Sequence, residues 1–435
     1  MKHAIFSTLL FLTPAALYAA EPAALPAWDM ALLTKAPTVE AAEEAKVEGL
    51  QSLYVEGLPY KGRPTRFYAY LGFPKEVSGK VPAVVLTHGG GGTAFADWVK
   101  YWNAKGYAAI AFDTDGQLPV DIHKDEVVPP NTPRPKTQWK TVSSLNLPWA
   151  GGPQKSGTFG DFDQPLEDQW MYHAVADAVR SVSLLAARPE VDPARIGIVG
   201  ISWGSVICSA VGGVDPRLAF VVPQYIGGHL DMGNVWYAFM QSNPATKRWD
   251  PARFYPNPQC KAQWLWINGI NDKYGLPPMT TRSWHDTGPN SWMTLLPTQG
   301  HGHLWTESGK NALSEIYAFA DSVTRGAAPL TRILSTRRTG DEVTLKWTAA
   351  VPVIRAQVCA TSDAVPLITI AGETRKDWEH VRYVVEDVAL PSVATDPDGT
   401  KQASFRFPAG TRAGFFNLLD ERGLTVSCDF LDLEP

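Results

Sequence analysis

The stretch Gly200-Ile201-Ser202-Trp203-Gly204 decides how the middle of this 435-residue chain folds. The run before it, Arg195-Ile196-Gly197-Ile198-Val199, is typical of a short buried strand, and residues 206–211 can continue as a buried helix. A serine between two glycines at the junction of strand and helix lies on a tight turn that exposes its hydroxyl. Side chains at positions 200 and 204 would collide where strand and helix approach each other. The stretch therefore predicts Ser202 as a nucleophile.

A carboxylate partner for this serine is expected further along the chain. A serine hydroxyl is a poor nucleophile unless a histidine accepts its proton and a carboxylate orients that histidine. The strand predicted over residues 263–268 ends in a turn that contains Asp272. Asp272 is therefore the candidate acid, and the alternative is an ordinary loop aspartate that caps the turn.

The candidate base is one of two histidines that follow the next predicted strand, residues 291–296. His301 lies at the exit of this strand, whereas His303 leads into an apolar pair that resembles packing residues. We therefore interpret His301 as the base and His303 as a substrate-binding residue, and the reverse assignment stays open. The spacing of the two histidines also permits two metal ligands, but no H-E-x-x-H stretch or cysteine pair supplies a third. We expect no metal and no cofactor.

A glycine-rich turn provides the expected oxyanion hole. The apolar strand predicted over residues 81–87 runs into His88-Gly89-Gly90-Gly91-Gly92. Backbone N–H groups in such a turn can point at a developing negative charge because no side chain blocks them. We expect the N–H groups of Gly90 and Trp203 to be the two donors. A phosphate-binding loop is the alternative, but the Lys-Ser/Thr pair that should follow is absent.

These motifs resemble the acetyl xylan esterase and dienelactone hydrolase branch of the α/β-hydrolases, over residues 50–330. Secreted bacterial proteins of the acetyl xylan esterase-like or prolyl-oligopeptidase-like type are the nearer likeness. The resemblance implies a mostly parallel central sheet with helices on both faces, and it places nucleophile, acid and base at Ser202, Asp272 and His301. Dienelactone hydrolases proper use a cysteine nucleophile, so the serine at position 202 argues against their chemistry. The motifs that carry the resemblance are residues 88–98, 200–204 and 297–303.

The pattern along the chain predicts four parts. Residues 1–20 have a basic start, an apolar stretch and small residues at the end, which is typical of a signal peptide and too short for a membrane span. We therefore expect an exported protein, periplasmic or extracellular, with no membrane partner. A helical segment (21–50), the hydrolase domain (51–330) and a small immunoglobulin-like β-sandwich (331–435) follow, the last because hydrophobic residues alternate there with period two.

An irregular insertion interrupts the hydrolase domain at residues 113–167. It is rich in proline and glycine, and it leaves the carboxyl end of a strand on the same side as Ser202. Long irregular segments inside compact domains usually serve a binding site or a lid, and the alternative is a surface decoration. We expect Trp149 in this insertion to contact the substrate.

Composition excludes several classes of protein. A net charge of −5 without a basic patch makes nucleic acid an improbable partner. Four cysteines are too few for a disulfide-framed scaffold, although Cys359 and Cys428 could pair and Cys208 is expected to be a free core thiol. The sixteen tryptophans slightly favour a carbohydrate substrate, because indole rings can pack against the apolar faces of sugars.

Three functions remain in competition. The first is a secreted serine esterase that removes acetyl or similar acyl groups from polysaccharide through an acyl-enzyme. The second is a serine peptidase of the prolyl-oligopeptidase type, which usually needs a large propeller or cap that the short region before the first strand cannot supply. The third is an extracellular glycan-binding protein whose triad is idle, and the complete set of serine, aspartate and histidine argues against it.

Overall fold

The structure, a computed structural model, describes residues 24–43, 45–76, 78–119, 140–141, 152–153, 159–297, 301 and 313–434. The expected signal peptide lies outside this part, as do Trp149, His303 and most of the insertion at 113–167. Among the described helices, none is long and apolar enough to cross a membrane.

A large sheet forms the centre of the described fold. Its nine strands lie in the order β1-β2-β3-β5-β4-β8-β9-β10-β11, and all neighbours from β5 to β11 are parallel. β1, β2 and β3 add an antiparallel edge, while β6 and β7 pair only with each other. The bounds are β1 Val39–Ala41, β2 Gln51–Glu56, β3 Arg66–Gly72, β4 Val81–Thr87, β5 Ala108–Phe112, β6 Gln117–Leu118, β7 Lys140–Thr141, β8 Val191–Ile201, β9 Phe220–Gln224, β10 Gln263–Gly269 and β11 Ser291–Leu296.

Helices cover both faces of this sheet. Successive residues of a strand point to opposite faces, and in β9 Phe220 contacts Phe319 of α7 whereas Val221 packs at Gly212 of α4. The helices α4 and α7 therefore lie on opposite faces, as expected for a buried parallel sheet. The helices are α1 Met30–Leu33, α2 Ala96–Ala104, α3 Trp170–Ala186, α4 Trp203–Val214, α5 Asn234–Ser242, α6 Pro277–Asp286 and α7 Ser314–Arg325.

The strand order reverses at β4, which lies between β5 and β8. In open α/β sheets, ligands bind at the carboxyl ends of the strands where the order reverses. The glycine-rich turn leaves β4 and the Ser202 turn leaves β8, so the fold places both motifs side by side at this position.

The segment 21–50, expected to be helical, has little helix in the structure. Its described residues contain the single short helix α1 and the strand β1, which pairs antiparallel with β2. All three residues of β1 are exposed, so no hydrophobic alternation marks this strand in the sequence. Pairing with the neighbouring edge strand decides the conformation here.

Antiparallel strands make up residues 332–434, which we call the C-terminal β-region. Four strands form one sheet (β12-β13-β19-β18) and five form another (β17-β14-β20-β21, with β22 on β20), and β15 and β16 make a separate hairpin. Phe405 of the first sheet contacts Phe416 of the second. The bounds are β12 Arg332–Thr339, β13 Glu342–Thr348, β14 Val353–Thr361, β15 Leu367–Ile370, β16 Glu373–Lys376, β17 Val384–Val388, β18 Ala394–Thr395, β19 Lys401–Arg406, β20 Ala413–Asp420, β21 Thr425–Ser427 and β22 Leu431–Asp432.

The C-terminal β-region packs against β11, the edge strand of the central sheet. The hydroxyl of Ser427 accepts the N–H of Leu295 at 2.7 Å, and the side-chain amide of Asn417 donates to the Leu295 carbonyl at 3.2 Å. The Ser427 hydroxyl in turn donates to the Asn417 side-chain oxygen at 2.6 Å. These buried contacts give partners to both backbone groups of Leu295 on the edge strand.

All four cysteines are free thiols in the structure. The pairing of Cys359 with Cys428 that the sequence allowed is therefore absent. Both side chains are buried, and the Cys428 sulfur accepts the N–H of Phe416 at 3.2 Å. Burial raises the pKa of the Cys359 thiol to about 12, so it stays protonated at neutral pH.

Candidate active site

Ser202 lies on a strained turn between β8 and α4. Its backbone has φ 57° and ψ −122°, a conformation that side-chain-bearing residues rarely adopt. A Cβ at Gly200 would lie 2.1 Å from the carbonyl oxygen of Gly204, and one at Gly204 would lie 2.1 Å from that of Thr87. Both glycines are therefore required by close backbone approach, which lets the helix begin directly after the strand.

The structure brings Ser202, His301 and Asp272 into one hydrogen-bonded chain. The Nε2 atom of His301 lies 2.8 Å from the Ser202 hydroxyl, and its Nδ1 atom lies 2.7 Å from Oδ2 of Asp272. These distances are those of a nucleophile, a base and an orienting carboxylate. Proton transfer from Ser202 to His301 is therefore geometrically possible in this arrangement.

Asp272 is held rigidly at the end of β10. Its side chain is 1% exposed, and its Oδ1 atom accepts the N–H of Tyr274 at 2.8 Å. One oxygen thus orients the loop while the other faces His301. A buried carboxylate in this position keeps the proton of the neutral imidazole on Nδ1 and leaves Nε2 free to accept.

The glycine-rich turn passes directly beside Ser202. A Cβ at Gly89 would lie 2.8 Å from Cβ of Ser202, so only glycine fits there. Gly90 is exposed immediately after this closest approach, and Trp203 begins α4. The structure thus places the two expected oxyanion donors in the segments that flank Ser202.

His88 fixes the shape of this turn. Its Nε2 atom accepts the backbone N–H of Thr114 at 2.9 Å, so the ring proton resides on Nδ1, which donates to the Gly89 carbonyl at 2.7 Å. The ring is 1% exposed. His88 therefore links β4 to the segment after β5 and orients the peptide that follows Gly89.

Aromatic rings lie beside His301 and Trp203. Tyr225 and Tyr274 flank the ring of His301 at centroid distances of 5.0 and 4.9 Å. Trp236 of α5 lies between Trp203 and Tyr274, at 5.4 and 6.2 Å. This side of the site is therefore an apolar wall.

The insertion reaches this wall in its last described residues. Phe159 contacts Trp203 edge-on at 5.3 Å and stacks on Phe239 of α5 at 6.0 Å. The end of the insertion thus packs against Trp203, the residue that follows Ser202.

Cys208 lies beneath the Ser202 turn, but it does not compete as a nucleophile. It is fully buried in α4, and burial raises the pKa of its thiol well above the ordinary value. A protonated thiol away from the surface does not react with a carbonyl.

In the part of the chain that the structure describes, one group of three side chains could hold a metal: Asp377, Glu379 and His380 in the C-terminal β-region. The carboxylate of Asp377 already accepts hydrogen bonds from Asn234 at 2.9 Å and His380 at 2.7 Å. Hydrogen bonding to Asp377 raises the pKa of His380. This group does not include any residue near Ser202.

The family model described as "Acetyl xylan esterase (AXE1)" matches residues 28–226, which include the glycine-rich turn and the Ser202 turn. The match covers less than half of the chain. Over these residues the chain is similar to the acetyl xylan esterases of the α/β-hydrolase superfamily.

Solved structures similar to this chain include two acetyl xylan esterases. The enzyme from Paenibacillus sp. R4 is 19% identical, with a TM-score of 0.46 over 63% of this chain and 87% of that one. The enzyme from Thermoanaerobacterium sp. JW/SL YS485 is 18% identical, with a TM-score of 0.43 over 61% and 83%. An acylaminoacyl peptidase from Pyrococcus horikoshii is 15% identical, with a TM-score of 0.40 over 59% and 38%. No curated protein sequence matches the chain.

Several residues of this site carry no signal in the sequence. Tyr225 and Trp236 belong to no motif, and their position follows only from the ends of β9 and the start of α5. His88 and Tyr274 could have been suspected, because they stand next to the glycine run and two residues after Asp272. Residues that follow parallel strands at their carboxyl ends are the general signal.

Proposed function

We propose that this protein is a secreted serine carboxylic-ester hydrolase that removes acetyl groups from xylan or a similar polysaccharide. The hydrogen-bonded chain from Ser202 through His301 to Asp272 is the observation that carries the proposal. The match to the acetyl xylan esterase family over residues 28–226 supports the choice of an acetylated carbohydrate. The same match and the expected signal peptide favour action outside the cytoplasm.

Acylation begins when the Ser202 oxygen attacks the ester carbonyl carbon and its proton passes to Nε2 of His301. The tetrahedral intermediate collapses as the carbon–oxygen bond to the sugar breaks. The imidazolium returns its proton to the departing sugar oxygen, which leaves as a hydroxyl. Asp272 stabilises the imidazolium without accepting its proton. The acyl group then remains as an ester on Ser202.

Deacylation repeats the sequence with water. His301 accepts a proton from water as the hydroxide oxygen attacks the acyl carbon, and it then returns the proton to the Ser202 oxygen. Acetate leaves and the resting enzyme is restored. No metal or cofactor takes part in this scheme.

The negative charge of both tetrahedral intermediates would be received by the N–H groups of Gly90 and Trp203. His88 keeps the peptide after Gly89 in a fixed orientation, so these donors need not reorganise during the reaction. Preorganised donors of this kind are usually worth about 2.7–4 kcal/mol each.

An acylated polysaccharide or oligosaccharide is the proposed substrate. We keep His303 and Trp149 as proposed substrate-binding residues, with the insertion forming a lid. The two packed sheets of the C-terminal β-region support an immunoglobulin-like sandwich, and we propose that it is one.

Acetate release by the purified protein tests this proposal. We expect turnover of 4-nitrophenyl acetate and of acetylated xylan, and a loss of about 10³-fold or more in kcat for Ser202→Ala. Ser322→Ala, a change on α7 away from the site, serves as the matched control and should retain wild-type kcat.

Two outcomes would contradict an esterase. Faster cleavage of peptide anilides than of acyl esters would identify a peptidase. Binding of xylan with no turnover of either substrate class would identify a glycan-binding protein with an idle triad. A Ser202→Ala variant that kept a tenth of wild-type kcat would show that another residue is the nucleophile.

A further inference from the structure

The helix α5 forms part of the active-site wall. Trp236 and Phe239 are three residues apart and therefore lie on one face of the helix. Trp236 contacts Trp203, the residue that follows Ser202, and it also contacts Tyr274, which contacts the ring of His301. Ring contacts therefore join α5 to His301 and to the neighbour of Ser202. A shift of α5 would therefore move the wall against which a bound ester lies.

The sequence of α5 contributes little to the stability of this helix. It has nine residues, and its N-cap residue Gly233 provides no side-chain hydrogen bond. Helices this short are marginal in water and depend on tertiary contacts. A glycine at the N-cap has no side chain that could accept hydrogen bonds from the first backbone N–H groups of the helix. These N–H groups therefore depend on other partners.

The hairpin of β15 and β16 supplies such contacts from the C-terminal β-region. The guanidinium of Arg375 donates to the Met232 carbonyl at 2.6 Å and covers the ring of Tyr237 at 3.9 Å. Just after the hairpin, the Asp377 carboxylate accepts a hydrogen bond from Asn234 at 2.9 Å. These contacts hold the segment before α5, its first residue and its first turn.

The two sides of α5 thus have different partners. Tyr237 is 6% exposed beneath Arg375, while the neighbouring Trp236 points to the rings beside Ser202. A guanidinium stacked on an aromatic ring and hydrogen-bonded to a carbonyl fixes both position and rotation, which a lysine cannot do with one ammonium group. Arg375 is therefore placed to set how close Trp236 comes to Trp203.

We propose that Arg375 is a positioning residue for ester hydrolysis, which acts through α5 to hold the Trp236 wall in place. The inference rests on the proposed function for the reaction that is assayed. The contacts of Arg375 with α5 do not depend on which ester is cleaved. It gives the C-terminal β-region a role in the reaction although none of its residues contacts the triad.

A double-mutant cycle tests this role. We expect Arg375→Ala to lower kcat/KM for 4-nitrophenyl acetate on the order of tenfold, because a small displacement far from the chemistry misaligns the substrate. Trp236→Ala should lower kcat/KM at least as much. The double variant should have the same kcat/KM as Trp236→Ala alone, because Arg375 acts through the position of Trp236 and has no further effect once that ring is removed. Arg375→Lys should fall between Arg375→Ala and the wild type.

The matched control is Arg355→Ala. Arg355 faces Asp387 at 3.8 Å within the C-terminal β-region and is half exposed, so its loss should leave kcat/KM unchanged. All variants are assayed well below their melting temperatures, so that partial unfolding does not enter the comparison.

Additive losses in the double variant, or an Arg375→Ala variant within twofold of the wild type, would overturn the proposal. If the wild type cleaves no acyl ester, the proposed function fails, and the same cycle is measured on the rate at which a fluorophosphonate labels Ser202. Non-additive labelling rates would then support positioning by Arg375 for a different reaction. Absence of both turnover and labelling would contradict both proposals.

Discussion

At the scale of single residues, the backbone of Ser202 is held in a conformation that residues with side chains rarely adopt. Its positive φ is maintained by a hydrogen bond from its N–H to the Gln224 carbonyl at 2.9 Å and by the Ser205 hydroxyl, which donates to the Ser202 carbonyl at 2.6 Å. A side-chain-bearing residue in such a conformation costs about 1–3 kcal/mol. The surrounding β8, β9 and α4 hold Ser202 in place against this cost.

This strain predicts a stability difference between two inactive variants. Ser202→Gly removes the strain, whereas Ser202→Ala keeps it, so the glycine variant should be about 1 kcal/mol more stable after its larger unfolded-state entropy is deducted. Urea unfolding of both variants measures the difference. A glycine variant clearly less stable than the alanine variant would show that the turn is not strained.

At the scale of elements, α6 is tied to the C-terminal β-region by an ion pair that depends on pH. The ring of His285, in the last turn of α6, is hydrogen-bonded to Asp429. This hydrogen bond raises the pKa of His285 above its ordinary value, and the opposing effect of burial is smaller. Because the folded state binds this proton more tightly, the pair stabilises the fold below the unfolded pKa, about 6.5, and the contribution disappears as pH rises through the folded pKa.

Asp429→Asn should therefore destabilise the protein more at low pH than at high pH. We expect the gap in melting temperature between wild type and variant to be larger at about pH 5.5 than at about pH 9, because the contribution of the pair is lost as the pH rises. Asp387→Asn is the control, because Asp387 faces Arg355, whose charge does not change over this range. A gap for Asp429→Asn that is the same at both pH values would refute the assignment.

The elements that the sequence predicted best are the buried parallel strands. The runs 81–87 and 291–296 are strands with those same bounds in the structure, because continuous apolar residues bounded by turns are typical of strands buried on both faces. β1 was missed for the opposite reason, since its three exposed residues carry no pattern. The prediction that side chains at positions 200 and 204 would collide is confirmed, because this steric requirement depends only on the local turn.

At the scale of the whole molecule, the site depends on contacts between distant parts of the chain. Residues 88, 202, 272 and 301 converge because the parallel strands that precede them end at one edge of the sheet, and this convergence follows from strand order. Ser427 and Asn417 contact Leu295 across more than a hundred residues of chain, and Arg375 contacts Met232 across a similar span. Such polar contacts follow no periodic pattern in the sequence. The sequence therefore predicts a separate C-terminal domain, but it does not predict the contacts of that domain with β11 and α5.

Ser202 is proposed to carry the acyl group during turnover, and trapping that group on Ser202 is the most direct test. The enzyme is mixed with 4-nitrophenyl acetate, quenched in acid during turnover, digested and examined by mass spectrometry. We expect one added acetyl group on the peptide that contains Ser202, and none there in Ser202→Ala. Continued acetate release with that peptide unmodified, or with the acetyl group on a different side chain, would contradict the account.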